Sequence, residues 1–227
     1  MNRPVPIEIA RAGARSSATV QRRAAARLAR VVLTGAAVVA LAGCSLLGGK
    51  KDAPTVYAPQ PAVQADAGWP RLDAPLVIAA VQAARPIDSV RIAVRPAPQE
   101  LQVYKGAQWA QRPSEMLERS LLRLLEDSGK VRAVARAGAG VSGDLRLVLD
   151  IRRFESDYAG GATPNAVIEV NAKLLDAQDR DVVASRTFLR SEPAGGTDVP
   201  QVVDAFERGL GGVTRDIALW TLGRGRG

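Results

Sequence analysis

The sequence feature that most constrains this chain is a short apolar run over residues 31–44, which ends in its only cysteine. Four arginines, Arg22, Arg23, Arg27 and Arg30, stand just before the run. A basic region, a short apolar region and small residues at the end are typical of a secretory signal peptide. The run has about 12 apolar or small residues, whereas a helix needs roughly 20 to span a bilayer. The pattern therefore predicts export of the chain.

The last four residues of this run, Leu41, Ala42, Gly43 and Cys44, resemble the lipobox of bacterial lipoproteins. In those proteins the cysteine is lipidated and becomes the first residue after cleavage. We therefore predict that residues 1–43 are a lipoprotein signal peptide and that Leu41, Ala42 and Gly43 are recognised by the signal peptidase. Cys44 is predicted to carry the lipid. The alternative is a plain signal peptide, or an uncleaved anchor, with a chance cysteine.

The positive charge of the chain is concentrated in the predicted signal peptide. The formal net charge is +8, but residues 1–44 carry +6 of it and the remaining residues only +2. A nucleic-acid-binding face needs a surplus of Lys and Arg in the folded part of a protein. We therefore predict no nucleic-acid partner.

Two residue types that dominate enzyme chemistry are almost missing. The chain has no histidine, which excludes Ser-His-Asp and Cys-His catalysis and removes the commonest metal ligand. The single cysteine cannot form a disulfide within the chain. We therefore predict a non-enzymatic protein with no cofactor and no metal, apart from the covalent lipid on Cys44.

Composition divides the remainder of the chain into a tether, a domain and a tail. Residues 44–75 are rich in Pro, Ala, Gly and Gln, which predicts an extended tether after the lipidated cysteine. At about 3.1 Å per residue this tether could span on the order of 90 Å. Its aromatic residues, Tyr57 and Trp69, are predicted to dock it onto the domain. The domain is predicted over residues 76–222 and a disordered tail over 223–227.

Hydrophobic periodicity within the domain predicts strands and two main helices. Alternation is clear over residues 90–94 and 145–151, and the runs 167–175 and 182–190 predict a hairpin. Leucines at helical spacing follow Pro113, and a second apolar stripe follows Asp198. This order predicts an α/β fold with a mixed sheet of about five to six strands and two helices packed on it. In the last helix, three glycines allow either close packing or a break: Gly209, Gly211 and Gly212.

Two further patterns have both a functional and a structural interpretation. Residues 138–143 have the G-x-G-x-x-G spacing, but they lead into a strand, whereas dinucleotide binding needs a helix there; a plain connection is favoured. Four carboxylates follow: Asp144, Asp150, Glu155 and Asp157. Alternation predicts that most lie on the solvated face of a strand, near neutralising arginines. A hydrolase that uses Asp150 or Asp157 is the less favoured alternative.

Taken in order, these segments resemble a known family. A lipobox at Cys44 and a Pro-rich tether precede the strand at 89–95, the segment 101–104 and Trp109, which stands before a Leu-rich helix. A long strand, a hairpin and a terminal amphipathic helix complete the chain. Between about Tyr57 and Trp220, the sequence resembles the ABC-type transport auxiliary lipoproteins, which are partners of MCE transport systems.

The resemblance implies a periplasmic domain, similar in fold to the N-terminal domain of TolB, that is held at the outer membrane. It implies a role in lipid movement between the membranes, with an MCE-domain protein and an ABC permease and ATPase as partners. Ser45, rather than Asp, after the lipidated cysteine favours the outer membrane. Tyr104 and Trp109 become candidate partner-binding residues, although the position of Trp109 before a helix favours a core role. A homo-oligomer, and an activator or assembly factor of another envelope machine, stay open.

Overall fold

The computed structural model describes residues 53–224. The predicted signal peptide 1–43, with Leu41, Ala42 and Gly43, and the predicted lipidation site Cys44 lie outside the described residues, as do residues 225–227. The described part of the chain contains nine strands and two helices. These are β1 Thr55–Tyr57, β2 Leu72–Ile78, β3 Gln82–Ala83, β4 Arg91–Arg95, β5 Gln102–Trp109, α1 Pro113–Ser128, β6 Val131–Arg136, β7 Leu145–Asp157, β8 Asn165–Asp176, β9 Val182–Pro193 and α2 Val199–Arg224.

The long strand β7 is the centre of one mixed sheet. On one side it pairs antiparallel with β8, which pairs antiparallel with β9. On the other side three strands lie parallel to it in succession: β2 beside residues 145–147, β3 beside 150–151 and β4 beside 156–157. β6 then pairs with β2, whereas β5 pairs with β4 and β1 with β5. The predicted α/β fold, with a mixed sheet and two helices, is confirmed.

The sheet has more strands than the sequence suggested. We predicted about five to six strands, and the described residues form nine. β1 has three residues and β3 has two, so neither is long enough to display the period of two that reveals a strand. β1 also lies in the Pro-rich stretch that we had interpreted as a tether.

Helix α1 begins at Pro113, where the sequence predicts. Pro113 occupies its first turn, and the backbone N–H of Ser114 donates to Asp88 Oδ1 at 3.1 Å. Gly129 ends the helix in the left-handed conformation, with a φ of 59°. The apolar stripe faces the core and is buried through Met116, Leu117, Leu121, Leu124 and Leu125.

Helix α2 is continuous over 26 residues, so its three glycines do not break it. A Cβ on Gly209 would lie 3.4 Å from Ile168 Cδ1, and one on Gly212 would lie 3.2 Å from Arg190 Nε. Both glycines therefore let the helix approach the sheet closely. Within residues 53–224, no helix combines the length and the apolar character that crossing a membrane requires.

The two helices cover one face of the sheet. Leu147 and Leu149 of β7 are fully buried, as are Ile168 and Val170 of β8, and all four belong to the core that contains both helices. Side chains that flank this pair on β7, such as Arg146 and Asp150, are exposed. Because successive side chains of a strand point to opposite faces, the second face of the sheet is largely open to solvent.

The boundaries predicted for the tether and the tail need correction. The compact unit begins at Ala53, and Trp69 and Leu72 are already buried. The prediction failed because the Pro-rich stretch has few large apolar residues, yet every second residue from Tyr57 to Ala65 is partly buried. At the other end, α2 continues to Arg224, beyond the predicted start of the tail at residue 223.

Candidate functional site

Trp109, one of the two candidate partner-binding residues, is a core residue. Its side chain is 1% exposed, and its ring makes edge contacts with Phe154 and Phe206 at centroid distances of 6.1 and 5.1 Å. A partner cannot reach a side chain that is buried in this way. The partner-binding prediction for Trp109 is therefore corrected, and the alternative core role is the one that the structure supports.

Tyr104, the second candidate, is only partly buried. Its hydroxyl lies 3.0 Å from Ser156 Oγ. Burial raises the pKa of the phenol, and the hydrogen bond with Ser156 opposes that rise only in part. The phenol therefore stays neutral at physiological pH, and its exposed part leaves the partner-binding role a prediction.

Glu155 departs from the expectation that the carboxylates of β7 lie on a solvated face. It is 1% exposed, whereas Asp144 and Asp150 are exposed as expected. The pairing of β7 with β8 shifts between Ile151 and Arg153, which is a β-bulge. The bulge shifts the alternation by one residue, so Phe154 joins the core and Glu155 lies on the opposite face, where Arg95 and Arg153 cover it.

Two arginines neutralise this buried carboxylate. Arg95 donates from Nε and from a terminal nitrogen to the two oxygens of Glu155, both at 2.9 Å, and Arg153 Nε donates at 2.8 Å. Arg153 also pairs with Asp157. Burial alone would raise the pKa of Glu155, but the bonds from Arg95 and Arg153 outweigh it and hold the pKa below its usual value. A general acid needs a raised pKa, so the lowered pKa of Glu155 argues against that role. Glu155 is thus a charged structural residue.

The geometry disfavours the hydrolase alternative. Asp150 and Asp157 lie seven residues apart on one strand, which corresponds to roughly 23 Å at the usual rise of a strand. Acid pairs of glycosidases are separated by less than about 10 Å. Asp157 also accepts a hydrogen bond from the backbone of Ala159 at 2.9 Å. Among residues 53–224, no three His, Cys, Asp or Glu side chains are grouped as a metal site.

Residues 138–143 connect β6 to β7 and open no helix. Gly138 and Gly140 have φ values of 91° and 74°, which glycine adopts without strain. A Cβ on Gly143 would lie 2.8 Å from Val77 Cγ2, so this glycine is needed for close packing. The prediction of a plain connection is confirmed.

The N-terminal strap, which we define as residues 58–69, is docked on the domain, as the prediction for Tyr57 and Trp69 requires. Arg215 of α2 fastens it, because its guanidinium donates to the carbonyl of Gln64 at 3.1 Å and forms an ion pair with Asp66. The same guanidinium lies over the ring of Trp69, at 5.3 Å from the centroid. Earlier in the strap, the backbone N–H of Gln60 donates to Glu207 of α2 at 3.2 Å.

The strap runs between the two helices and borders an open cleft on each side. One cleft, of about 400 Å³, lies against α2, and the other, of about 440 Å³, lies against α1. Residues 61–64 line both clefts. A Cβ on Gly211 of α2 would lie 3.2 Å from Pro61 and 3.3 Å from Val63. Gly211 therefore allows the strap to approach α2 closely, just as Gly209 and Gly212 allow α2 to approach the sheet. Because the strap lines both clefts, both depend on its being in place.

The sheet also offers open edges. Among residues 53–224, the 12-residue strand β9 pairs only with β8, and β1 pairs only with β5. Such edges display unpaired backbone groups that can accept another strand. The arrangement as a whole supplies surfaces for association, together with a neutralised ion cluster.

The model of the family described as ABC-type transport auxiliary lipoprotein component matches residues 55–218. The chain belongs to this family. The match includes the strap and ends within α2, in agreement with the resemblance that the sequence indicated between Tyr57 and Trp220. No curated protein matches the chain.

Solved structures support the family and the fold. A Xanthomonas campestris protein of family DUF330 is 51% identical to this auxiliary lipoprotein, with a TM-score of 0.73, and the alignment covers 76% of this chain and 97% of that one. An uncharacterised protein is 13% identical, with a TM-score of 0.58 and coverage of 75% and 99%. The PelC dodecamer from Paraburkholderia phytofirmans is 14% identical, with a TM-score of 0.39 and coverage of 65% and 93%. Its assembly is not transferred to this lipoprotein.

Proposed function

We propose that this auxiliary lipoprotein is a non-catalytic component of an MCE-type lipid transport system. It is anchored in the outer membrane by a lipid on Cys44 and docks the MCE-domain protein there, while an ABC permease and ATPase supply the energy. The observation on which the proposal rests is the family match over residues 55–218. The neutralised Glu155 cluster and the separation of Asp150 from Asp157 support a role in binding rather than in catalysis.

The anchoring part of the proposal is tested by localisation. Cys44→Ser removes the acylated sulfur, so we expect an unprocessed precursor that incorporates no labelled fatty acid. Ser45→Asp is the matched variant, because we expect it to be lipidated but retained at the inner membrane. Metabolic labelling and separation of the two membranes measure both results. A processed Cys44→Ser protein in the outer membrane would contradict the proposed anchor.

The docking part of the proposal is tested by cross-linking in intact cells. We expect the lipidated wild-type protein to co-purify with an MCE-domain protein, and the Cys44→Ser variant to lose most of this yield because it no longer reaches the outer membrane. Co-purification with a different envelope machine, in the absence of any MCE protein, would favour the alternative of an activator or assembly factor.

A further inference from the structure

The point at which the anchor joins the domain restricts which surface can face the membrane. Cys44 precedes Ala53, the first residue of the compact unit, by nine residues. At no more than about 3.6 Å per residue, this segment reaches roughly 30 Å. The reach of about 90 Å predicted for a tether over residues 44–75 is therefore too long, because the strap within that range is docked on the domain. If Cys44 is lipidated, as the proposed function states, strand β1 stays close to the headgroups.

Exposed apolar side chains lie on β1 and near the start of its partner strand β5. Val56 of β1 is 55% exposed, Val103 of β5 is 40% exposed, and Leu101, just before β5, is 38% exposed. The register places Val56 beside Gln108, Gln108 beside Arg91, and Val103 beside Ala93. The intervening Tyr57, Trp109 and Ile92 pack into the helix-covered core. Alternation therefore places Val56 and Val103 on the sheet face that the helices leave open.

Basic side chains accompany these apolar residues. Arg91 and Lys105 are exposed, and neither forms an ion pair with a residue that the structure describes. An acidic residue, Glu100, lies next to Leu101 in the sequence. Lys50, Lys51 and Asp52 add a net charge of +1 to the sequence just before the compact unit. We call Val56, Arg91, Leu101, Val103 and Lys105 the β1–β5 surface.

The other large group of exposed apolar residues lies at the opposite edge of the sheet. Val182, Val183 and Leu189 belong to β9, and they are 56%, 48% and 59% exposed. Five strand intervals, through β5, β4, β7 and β8, separate β1 from β9, which corresponds to about 24 Å. Of these two groups of exposed apolar residues, only the β1–β5 surface includes the strand that directly follows the anchor segment.

We propose that the β1–β5 surface lies against the membrane that carries the anchor and binds its anionic phospholipid headgroups. The apolar side chains enter the interface, and Arg91 and Lys105 attract negatively charged headgroups. The contact orients the domain, so that the β9 edge faces away from the membrane and stays open to a protein partner.

The test uses the full-length, matured lipoprotein in vesicles of phosphatidylcholine with and without phosphatidylglycerol. Val103→Cys places a fluorophore on the β1–β5 surface, and Leu189→Cys is the matched control on β9. The acylated Cys44 leaves the introduced cysteine as the only free thiol. We expect spin-labelled lipids to quench the label at position 103 several-fold more than the label at 189, and more strongly with phosphatidylglycerol. Lys105→Glu, added to Val103→Cys, should reduce this quenching.

The possible failures are distinguishable. Equal, weak quenching at both positions, in protein that floats with the vesicles, would overturn the membrane-facing surface while leaving the proposed anchor intact. Excimer emission from pyrene at position 103 without quenching by lipid would assign the surface to a second copy of the chain, and would also overturn it. Protein that does not float with the vesicles would refute the anchor, and this inference with it.

Discussion

Replacement of Glu155 by Gln tests the interpretation of the buried ion cluster. Glutamine is nearly isosteric with glutamate but neutral, and its NH₂ group faces the nitrogens of Arg95 and Arg153 that now donate to a carboxylate. One bidentate ion pair and one further charged hydrogen bond are weakened together. Two arginines are then left beside a buried group that cannot balance their charge.

The expected loss of stability follows from the burial of the three partners. Removing one member of a buried pair costs roughly 3–5 kcal/mol. Arg95 and Arg153 are 26% and 33% exposed, so water compensates part of the loss. We therefore expect Glu155→Gln to lower the free energy of unfolding by about 2–3 kcal/mol at neutral pH. For a domain of this size that corresponds to a melting temperature lower by about 5–10 °C.

The effect must also depend on pH. The pKa of Glu155 is lowered in the folded state, so its contribution to stability is present above the usual pKa of a glutamate, near 4.3. This contribution is lost as the pH falls through the lower, folded-state pKa. The difference between wild type and Glu155→Gln should therefore be largest near neutrality and shrink below about pH 4.

Urea unfolding followed by tryptophan fluorescence, at neutral pH and near pH 3, measures both effects. Asp150→Asn is the control, because Asp150 is exposed on the same strand, and we expect it to change stability by less than about 0.5 kcal/mol. A Glu155→Gln variant as stable as this control would refute the reasoning. So would a difference from wild type that is the same at both pH values.

Two further predictions concern close contacts. Valine at Gly211 would clash with Pro61 and Val63, so Gly211→Val should speed limited proteolysis of the strap while changing the melting temperature little. Gly223, whose Cβ would meet nothing within 4 Å, provides the control Gly223→Val. Asp88→Ala removes the side-chain bond to the first turn of α1, and thermal melting should show a loss of about 0.5–2 kcal/mol. Asp88→Asn keeps an acceptor and should recover most of that loss; equal losses would contradict the capping role.

The sequence predicted the long elements of the fold. Strands β7, β8 and β9 and helices α1 and α2 each have at least 12 residues, and each was predicted from an apolar run or a periodic pattern within it. Elements of two or three residues are too short to display such a pattern, which is why β1 and β3 were missed. Local sequence context can also predict burial: the position of Trp109 just before α1 already favoured a core role.

The sequence could not reveal features that depend on pairing partners distant along the chain. Glu155 is covered by Arg95 of β4 as well as by Arg153, and the bulge that sets the face on which it lies is defined by the register between β7 and β8 rather than by the residues of β7 alone. The strap was misinterpreted for a similar reason. Its partly buried residues, from Pro59 to Ala65, are small and include prolines, so their own pattern does not indicate packing. Their position against α2 in the folded domain reveals it.

The way in which Arg215 holds the strap has a consequence for the order of folding. Its bonds to Gln64 and Asp66 join residues that are 151 and 149 positions apart, and the bond from Gln60 to Glu207 spans 147 positions. Contacts of such large sequence separation form late, because a long loop must close first. The strap precedes α2 in the chain, so it is synthesised before the surface on which it docks. The N-terminal border of the compact unit is therefore completed only after its C-terminal helix has formed.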